Sequence, residues 1–118
     1  MKYALLIYSA EDAGPQTPED QMAEMPQWFA YTEELASAGA HLGGEALQGS
    51  DTATTVQVRN GERITTDGPF AETKEILGGF YLIEADNLDA ALEWASKIPS
   101  APYGSVEVRP IMEIPDAG

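Results

Sequence analysis

The sequence predicts one soluble α+β domain in which strands and helices alternate along the chain. Three observations lead to this prediction. The chain has 118 residues, which is the size of a single domain. Two segments have the apolar periodicity of helices, and short β-branched or fully apolar runs lie around them. No internal repeat, linker or low-complexity tract divides the chain, so we predict a single domain over residues 1–118.

The first half of the chain predicts a strand, a helix and a second strand. Residues 3–8 are apolar at every position, which is typical of a strand that is buried on both faces. The run Thr17-Pro18-Glu19-Asp20 has the features of a helix start: a capping hydroxyl, a proline in the first position and acids in the first turn. We expect Pro26 to kink this helix or divide it in two, and Gly39 to end it. Residues 41–48 then predict a strand that is weakened by two glycines.

The second half predicts a hairpin followed by another strand, helix and strand. Residues 52–59 and 62–66 are β-branched and alternating, and Asn60-Gly61 between them is a strong hairpin signal. A loop over 67–77 leads to an apolar strand at 80–83, the second helix opens at 86–89, and the last strand covers 105–112. The apolar stripes expected on the two helices are Met22, Met25, Trp28 or Phe29, Thr32, Leu35 and Ala36, and Leu88, Ala91, Leu92, Ala95 and Ile98.

This order of elements predicts a ferredoxin-like fold, in which two strand-helix-strand units share one sheet. Two helices cover only one face of such a sheet, yet the strands at 3–8 and 80–83 are apolar on both faces. The second face therefore needs another cover, and the same face of a second copy is the simplest one. We predict a homodimer.

The composition limits the partners of the chain. It has 20 Asp and Glu residues against 6 Lys and Arg, a net charge of −14, which disfavours nucleic acid and anionic membranes. The chain has no Cys, which excludes disulfides and thiolate chemistry, and its single histidine, His41, is a weak metal candidate. No run is long enough to cross a bilayer and no cleavable signal is apparent, so we expect a cytoplasmic protein without metal or cofactor.

Four blocks of the sequence carry a family resemblance. The segment Thr66-Asp67-Gly68-Pro69-Phe70-Ala71-Glu72-Thr73-Lys74-Glu75 contains the motif Asp-Gly-Pro-Phe, and the blocks 42–47, 78–81 and 104–110 accompany it in order. Together they resemble the DGPF branch of the YCII-related family over residues 3–111. The resemblance implies a dimeric ferredoxin-like α/β barrel. The His–Asp pair proposed for the wider family does not transfer, because His41 follows the Gly39 stop instead of lying in the first helix.

Asp67 is the candidate catalytic residue. It opens the loop that joins the hairpin to a buried strand, a place where a scaffold commonly presents function. Beside an apolar wall such as Phe70, its carboxyl group would suit acid–base catalysis. The alternative is a structural role, in which an Asp before Gly-Pro accepts hydrogen bonds from the backbone of its own loop.

Five further residues are candidate ligand-binding residues: Phe70, Lys74, Glu45, Glu107 and Arg109. Lys74 would anchor a ligand carboxylate or phosphate, or else pair with Glu72 or Asp67 to hold the loop closed. Glu107 and Arg109 share one face of the last strand, where they would line a dimer cavity or form an ion pair. The acids of the loop match no known cation-binding spacing, so no metal site is predicted.

Two functions are compatible with these features. The first is a small-molecule-binding or enzyme-like dimer with a pocket near loop 67–77. The second is a non-catalytic regulatory or protein-interaction module, since members of the DGPF branch often accompany extracytoplasmic-function sigma factors. Convergence of Asp67, Lys74 and Arg109 on one concave space would favour the first function.

Overall fold

A computed structural model of the chain describes residues 1–71 and 73–115. Its elements in chain order are β1 (Lys2–Ser9), α1 (Pro18–Ser37), β2 (His41–Ala46), a 3₁₀ turn (Ser50–Thr52), β3 (Thr54–Arg59), β4 (Glu62–Asp67), β5 (Ile76–Glu84), α2 (Leu88–Ser96) and β6 (Ser105–Pro110). The predicted mixed α+β class is confirmed. Within the described ranges, no helix is long and apolar enough to cross a membrane.

Four of the strands form one antiparallel sheet in the order β2-β5-β1-β6. The central strand β1 pairs with β5 on one side and with β6 on the other, and β2 pairs with the far edge of β5. Each helix therefore connects two strands that are not neighbours. Helix α1 leads from β1 past β5 to β2, and α2 leads from β5 past β1 to β6.

The core lies between one face of this sheet and the two helices. On β1, Tyr3, Leu5 and Ile7 are 2%, 0% and 8% exposed, because they point towards the helices. The remaining core side chains are Tyr31, Leu35, Ala40, Ile83, Ala85, Ala91, Ala95 and Ile98. On the opposite face of β1, Ala4, Leu6 and Tyr8 are only half-buried. The second apolar face of β1 is therefore open in a single chain, and its burial against a second copy stays a prediction.

The helix α1 is continuous through Pro26, so it is not divided into two helices there, and the alternative of a kink stays a prediction. Its predicted apolar stripe is partly correct: Leu35 is buried and Trp28 packs against the core. Met22 and Phe29 are 74% and 66% exposed, so these positions are wrong, and Tyr31, which was not predicted, is buried. Tyr31 tolerates burial because its hydroxyl donates to the carbonyl of Trp94 at 2.8 Å.

On α2 the small side chains of the predicted stripe face the core. Ala91 and Ala95 are buried, together with Ile98 just beyond the helix. Leu88 and Leu92 are 48% and 45% exposed, so that part of the prediction is wrong. Close approach of α2 to the sheet requires small residues at the contact, which leaves the leucines on the flanks of the helix.

The strands β3 and β4 form a separate two-stranded sheet. Its turn is the predicted one, with Asn60 and Gly61 at φ 53° and 77°. No residue of this hairpin belongs to the core, and Val56 and Val58 are 56% and 61% exposed. The Cα radius of gyration is 16.4 Å. A compact chain of this length would have a radius of about 13.5 Å, so the molecule is extended for its size.

Candidate functional site

A cavity of ≈ 610 Å³ lies between α1 and the β2–β5 side of the sheet. Its volume is in the range of small-molecule sites. The walls carry four aromatic rings, those of Trp28, Phe29, Tyr81 and Tyr103. Phe80 also borders the cavity, but it pairs with Leu6, so its ring lies on the opposite face of the sheet. Other apolar or backbone surface comes from Ile7, Met25, Ala46, Gly78 and Gly79. Flat aromatic faces around one space favour a flat ligand that stacks on them or meets their edges.

A small number of polar residues line the same cavity: Ser9, Thr32, His41, Glu45 and Ser100. Glu45 pairs with Phe80, so its carboxylate lies on the opposite face of the sheet. Thr32 Oγ1 and the Tyr81 hydroxyl are 2.8 Å apart and share a hydrogen bond. The His41 ring lies edge-on to Tyr81, with ring centroids 6.1 Å apart. Among the described residues that line the cavity there is no Lys or Arg. An anionic ligand group would therefore meet no formal positive charge here unless His41 is protonated.

Glu24 fastens two of the aromatic walls to each other. Trp28 Nε1 donates to Glu24 Oε1 at 2.7 Å. The Tyr103 hydroxyl donates to the same carboxylate, at 2.8 Å from Oε1 and 3.0 Å from Oε2. Burial, and then the hydrogen bond to Glu24, raise the pKa of Tyr103 to about 12, so the phenol stays neutral. This carboxylate sets the separation between α1 and the connection from α2 to β6.

Tyr31 supports the floor of the cavity. Its ring meets Tyr81 edge-to-face, with centroids 5.2 Å apart and an interplanar angle of 73°. Burial, and then the neighbouring Tyr81 and Glu34, raise the pKa of Tyr31 far above its ordinary value. The neutral Tyr31 hydroxyl donates to the Trp94 carbonyl, so it stabilises the core. Of these two tyrosines, Tyr81 is the one that lines the cavity.

Ser100 is the buried polar residue of the cavity wall. It is 4% exposed, and its Oγ has no hydrogen-bond partner among the described residues. The backbone around it is firmly held, because the Ser100 carbonyl accepts from Tyr103 N at 3.1 Å and from Gly104 N at 2.8 Å. Buried polar groups are nearly always paired in native proteins, so an unpaired hydroxyl in a cavity wall requires an explanation.

A second concave region lies along the loop that follows β4. Two adjoining grooves of ≈ 560 and ≈ 660 Å³ run between residues 69–71 and 73–77, residues 8–12 and residues 47–53. Lys74 lines the first groove together with Glu11 and Asp12, and Phe70 lines the second. Phe70 is 77% exposed. Size does not separate these grooves from the aromatic cavity, but they lack its set of converging rings.

Asp67 is the last residue of β4, opposite Thr54, and is exposed. It lines neither the aromatic cavity nor the grooves. Two hydrogen bonds of Gly68 hold the start of the loop in place instead. The Gly68 N donates to the Ala53 carbonyl at 2.7 Å, and the Gly68 carbonyl accepts from Thr55 Oγ1 at 2.8 Å. Glu72, the other predicted loop acid, lies outside the described residues.

The other predicted site residues are spread over the molecule. Glu45 lines the aromatic cavity, whereas Lys74 lies in a loop groove. Glu107 and Arg109 form an ion pair, and they face Leu6 and Ala4 across the pairing of β6 with β1. That pair is therefore on the sheet face opposite the helices. In a single chain Asp67, Lys74 and Arg109 do not converge on one concave space.

Sequence reasoning missed most of the cavity. Glu24 and Trp28 are four residues apart on one helix face, and that spacing is the one available signal for their hydrogen bond. Tyr103 and Ser100 lie in a proline-containing connection whose path cannot be read from local patterns. His41 was assigned to the surface, and it is exposed, but it also borders the cavity.

Comparisons with known proteins extend these observations. The YCII-related domain matches residues 1–115 of the chain. An uncharacterised protein of Rhizobium meliloti (strain 1021) is 41% identical over 115 residues, covering 94% of this chain and 92% of that protein. Among solved structures, 5-chloro-2-hydroxyhydroquinone dehydrochlorinase from Burkholderia phenoliruptrix AC1100, in complex with 2,5-dihydroxybenzoquinone, aligns with a TM-score of 0.51. It is 15% identical over 95% of this chain and 94% of that chain, a likeness that concerns the fold alone.

Proposed function

The chain belongs to the YCII-related family, and we propose that it is a small-molecule-binding protein whose site is the cavity between α1 and the sheet. The observation that carries this proposal is the convergence of four aromatic rings and a few polar side chains on one space of ≈ 610 Å³. Such a combination of apolar walls and few oriented polar groups is typical of ligand sites. The DGPF branch remains the finer prediction within the family.

The lining of the cavity favours an uncharged planar ring that carries hydroxyl or carbonyl groups. Stacking surface is plentiful, and hydroxyls of Thr32, Tyr81 and Ser100 are close to it. The lack of Lys and Arg among the described lining residues and a chain charge of −14 disfavour an anionic ligand. The dehydrochlorinase that shares the fold carries 2,5-dihydroxybenzoquinone, which makes hydroxylated six-membered rings the first compounds to test.

The test maps binding directly by following backbone amide signals in NMR spectra during titration with such rings. Binding in the cavity should shift the signals of residues around Thr32, His41 and Tyr81. Binding in the loop grooves should shift those around Ser50 and Thr73. The two sites lie on different parts of the sheet, so the pattern of shifts identifies the site.

A matched pair of variants gives the same answer by affinity. Phe29 lines the cavity and is 66% exposed, and Phe70 lines a loop groove and is 77% exposed, so neither side chain is part of the core. We expect Phe29→Ala to weaken binding about tenfold and Phe70→Ala to leave it unchanged, since losing one stacking ring costs roughly 1 kcal/mol or more. The reverse result would move the site to the loop.

We also infer that the functional unit is a ferredoxin-like dimer in which the open sheet faces of two copies meet. Ala4, Leu6 and Tyr8 form an apolar strip on that face. The Glu107–Arg109 pair lies beside it, an arrangement of opposite charges that is complementary to itself under two-fold symmetry. Leu6→Glu should therefore yield monomers in sedimentation experiments, whereas Leu92→Glu, on the outer side of α2, should not. Equal behaviour of both variants would reject this interface.

The second candidate function is a protein-interaction module, with a sigma factor as the partner that the family resemblance suggests. The exposed ring of Phe70 in the loop and the exposed valines of the hairpin favour it. Asp67 stays a candidate catalytic acid or base in the first function and a loop residue in the second, although in a single chain it lines neither the cavity nor the grooves. If Asp67→Ala leaves ring binding intact but abolishes turnover of a bound compound, the catalytic role is supported.

A further inference from the structure

We propose that Ser100 is the hydrogen-bonding anchor of the cavity, which pairs its buried hydroxyl with a hydroxyl or carbonyl group on a planar ring. This inference rests on the proposed binding function and deepens it by naming the residue that selects the ligand. A serine hydroxyl both donates and accepts, so it can recognise either group.

The first argument is the unpaired state of the hydroxyl. Ser100 is 4% exposed and its Oγ has no partner among the described residues, although it belongs to the cavity wall. The other hydroxyls at the site differ in this respect. Thr32 and Tyr81 bond each other, and Tyr103 bonds Glu24. Ser100 is the buried wall residue whose Oγ has no partner among the described residues. Because that Oγ is itself buried, it reaches a ligand in the cavity by turning about the Cα–Cβ bond.

The second argument is that the backbone holds Ser100 in place while leaving its side chain free to turn. Its carbonyl accepts two backbone hydrogen bonds, from Tyr103 N and Gly104 N, which fix the turn that follows α2. Rotation about the Cα–Cβ bond moves Oγ between staggered positions without disturbing that turn. A ligand in the cavity therefore gains a hydrogen bond without displacing a protein partner of Oγ.

The third argument is position. Ser100 and Tyr103 lie on the connection between α2 and β6, and the cavity lining also includes Trp28 and Phe29 of α1. Glu24 fastens this connection to α1 through Tyr103. A ring held by the aromatic walls is thus offered one polar contact at the edge of the ring, which discriminates between rings that do and do not carry a polar group there.

The test uses two rings of matched shape, 1,4-dihydroxybenzene and 1,4-dimethylbenzene, titrated into wild type and Ser100→Ala and followed by the amide signals of the cavity. We expect the variant to bind the dihydroxy ring about five- to tenfold more weakly and the dimethyl ring equally well, the loss expected for one hydrogen bond. Ser96→Ala is the control, because that hydroxyl is exposed and donates to the Glu93 carbonyl at 2.7 Å.

Melting of the ligand-free protein gives a readout that does not depend on a ligand. An unpaired buried hydroxyl is unfavourable, so Ser100→Ala should melt at the same temperature as wild type or higher. Lower melting would mean that Ser100 stabilises the fold, and equal losses for both rings would mean that only cavity shape changed. Either result would refute the proposed role of Ser100 and would not affect the proposed binding function. If neither ring shifts the cavity signals of wild type, the proposed function fails and the anchor fails with it.

Discussion

Replacement of Glu24 tests how the cavity walls are held. Its carboxylate accepts from Trp28 Nε1 at 2.7 Å and from the Tyr103 hydroxyl at 2.8 Å, so it joins α1 to the connection that follows α2. Hydrogen bonds to a charged group contribute about 1.5–3 kcal/mol each when well buried. Because this site is only partly buried, we take about 1–1.5 kcal/mol for each bond. Glu24→Ala should therefore lower the free energy of unfolding by about 2–3 kcal/mol.

The assay is urea and thermal unfolding followed by circular dichroism. For a domain of this size, about 2–3 kcal/mol corresponds to a decrease of roughly 8–12 °C in Tm. Glu33→Ala is the matched control, because Glu33 is an exposed glutamate of the same helix and its side chain makes no hydrogen bond within the described residues. If Glu24→Ala and Glu33→Ala agree within about 0.5 kcal/mol, the carboxylate does not hold the walls together.

The variant Glu24→Gln separates the charge of this group from its hydrogen bonds. An amide can accept from Trp28 and donate to the Tyr103 oxygen, so we expect a loss of only about 1 kcal/mol in unfolding free energy. The pKa of Tyr103 should fall when the carboxylate charge is removed. It should stay above its ordinary value of 10.0, because burial is the larger cause of the shift. An unchanged tyrosinate titration in this variant would contradict the assigned cause.

Two further predictions concern the same wall. Gly14→Ala should destabilise by about 2–3 kcal/mol and Gly39→Ala by only about 1 kcal/mol, both by chemical denaturation. Both glycines have a φ of 71°, so a side chain strains the backbone equally at the two positions. A Cβ on Gly14 would also clash with the Tyr103 ring, whereas a Cβ on Gly39 meets nothing within 4 Å. Equal losses of stability in the two variants would refute the clash with Tyr103. The raised pKa of Tyr103, about 12 in the folded state, also predicts pH-dependent stability. The free energy of unfolding that this pKa shift contributes is fully present below about pH 10, the pKa of Tyr103 in the unfolded chain. It is lost as the pH rises towards about 12, so this loss of stability at high pH should be absent in Tyr103→Phe.

Local patterns were sufficient to predict the elements of the fold. The Asn60-Gly61 turn was correct because a two-residue turn with positive φ at both positions favours these residues. The starts of both helices were correct too: Thr17 Oγ1 accepts from Asp20 N, and Asn87 Oδ1 accepts from Ala90 N. These features depend on neighbours within four residues, so the chain around them contains all the information that is needed.

The buried faces of the helices were predicted less well. Periodicity gave Leu35 on α1 correctly, but it also favoured the exposed Met22 and missed the buried Tyr31. On α2 it gave Ala91 and Ala95 correctly, but it also placed Leu88 and Leu92 in the core, where they are about half exposed. Each turn of a helix has several apolar residues. Which of them face the core depends on their packing against residues that are distant in the sequence.

The sequence by itself determined the order of strands and helices, the hairpin turn, the acidic character of the chain and its family. These properties arise from composition, short-range hydrogen bonding and motifs that are contiguous in the chain. Only the tertiary structure showed the cavity that we propose as the ligand site. It joined Trp28, Tyr81 and Tyr103 around one cavity, left Asp67 on a separate hairpin, and placed the unpaired hydroxyl of Ser100 in the cavity wall. Trp28, Tyr81 and Tyr103 are more than 20 positions apart in the sequence, and no local pattern specifies which distant side chains a folded chain brings into contact.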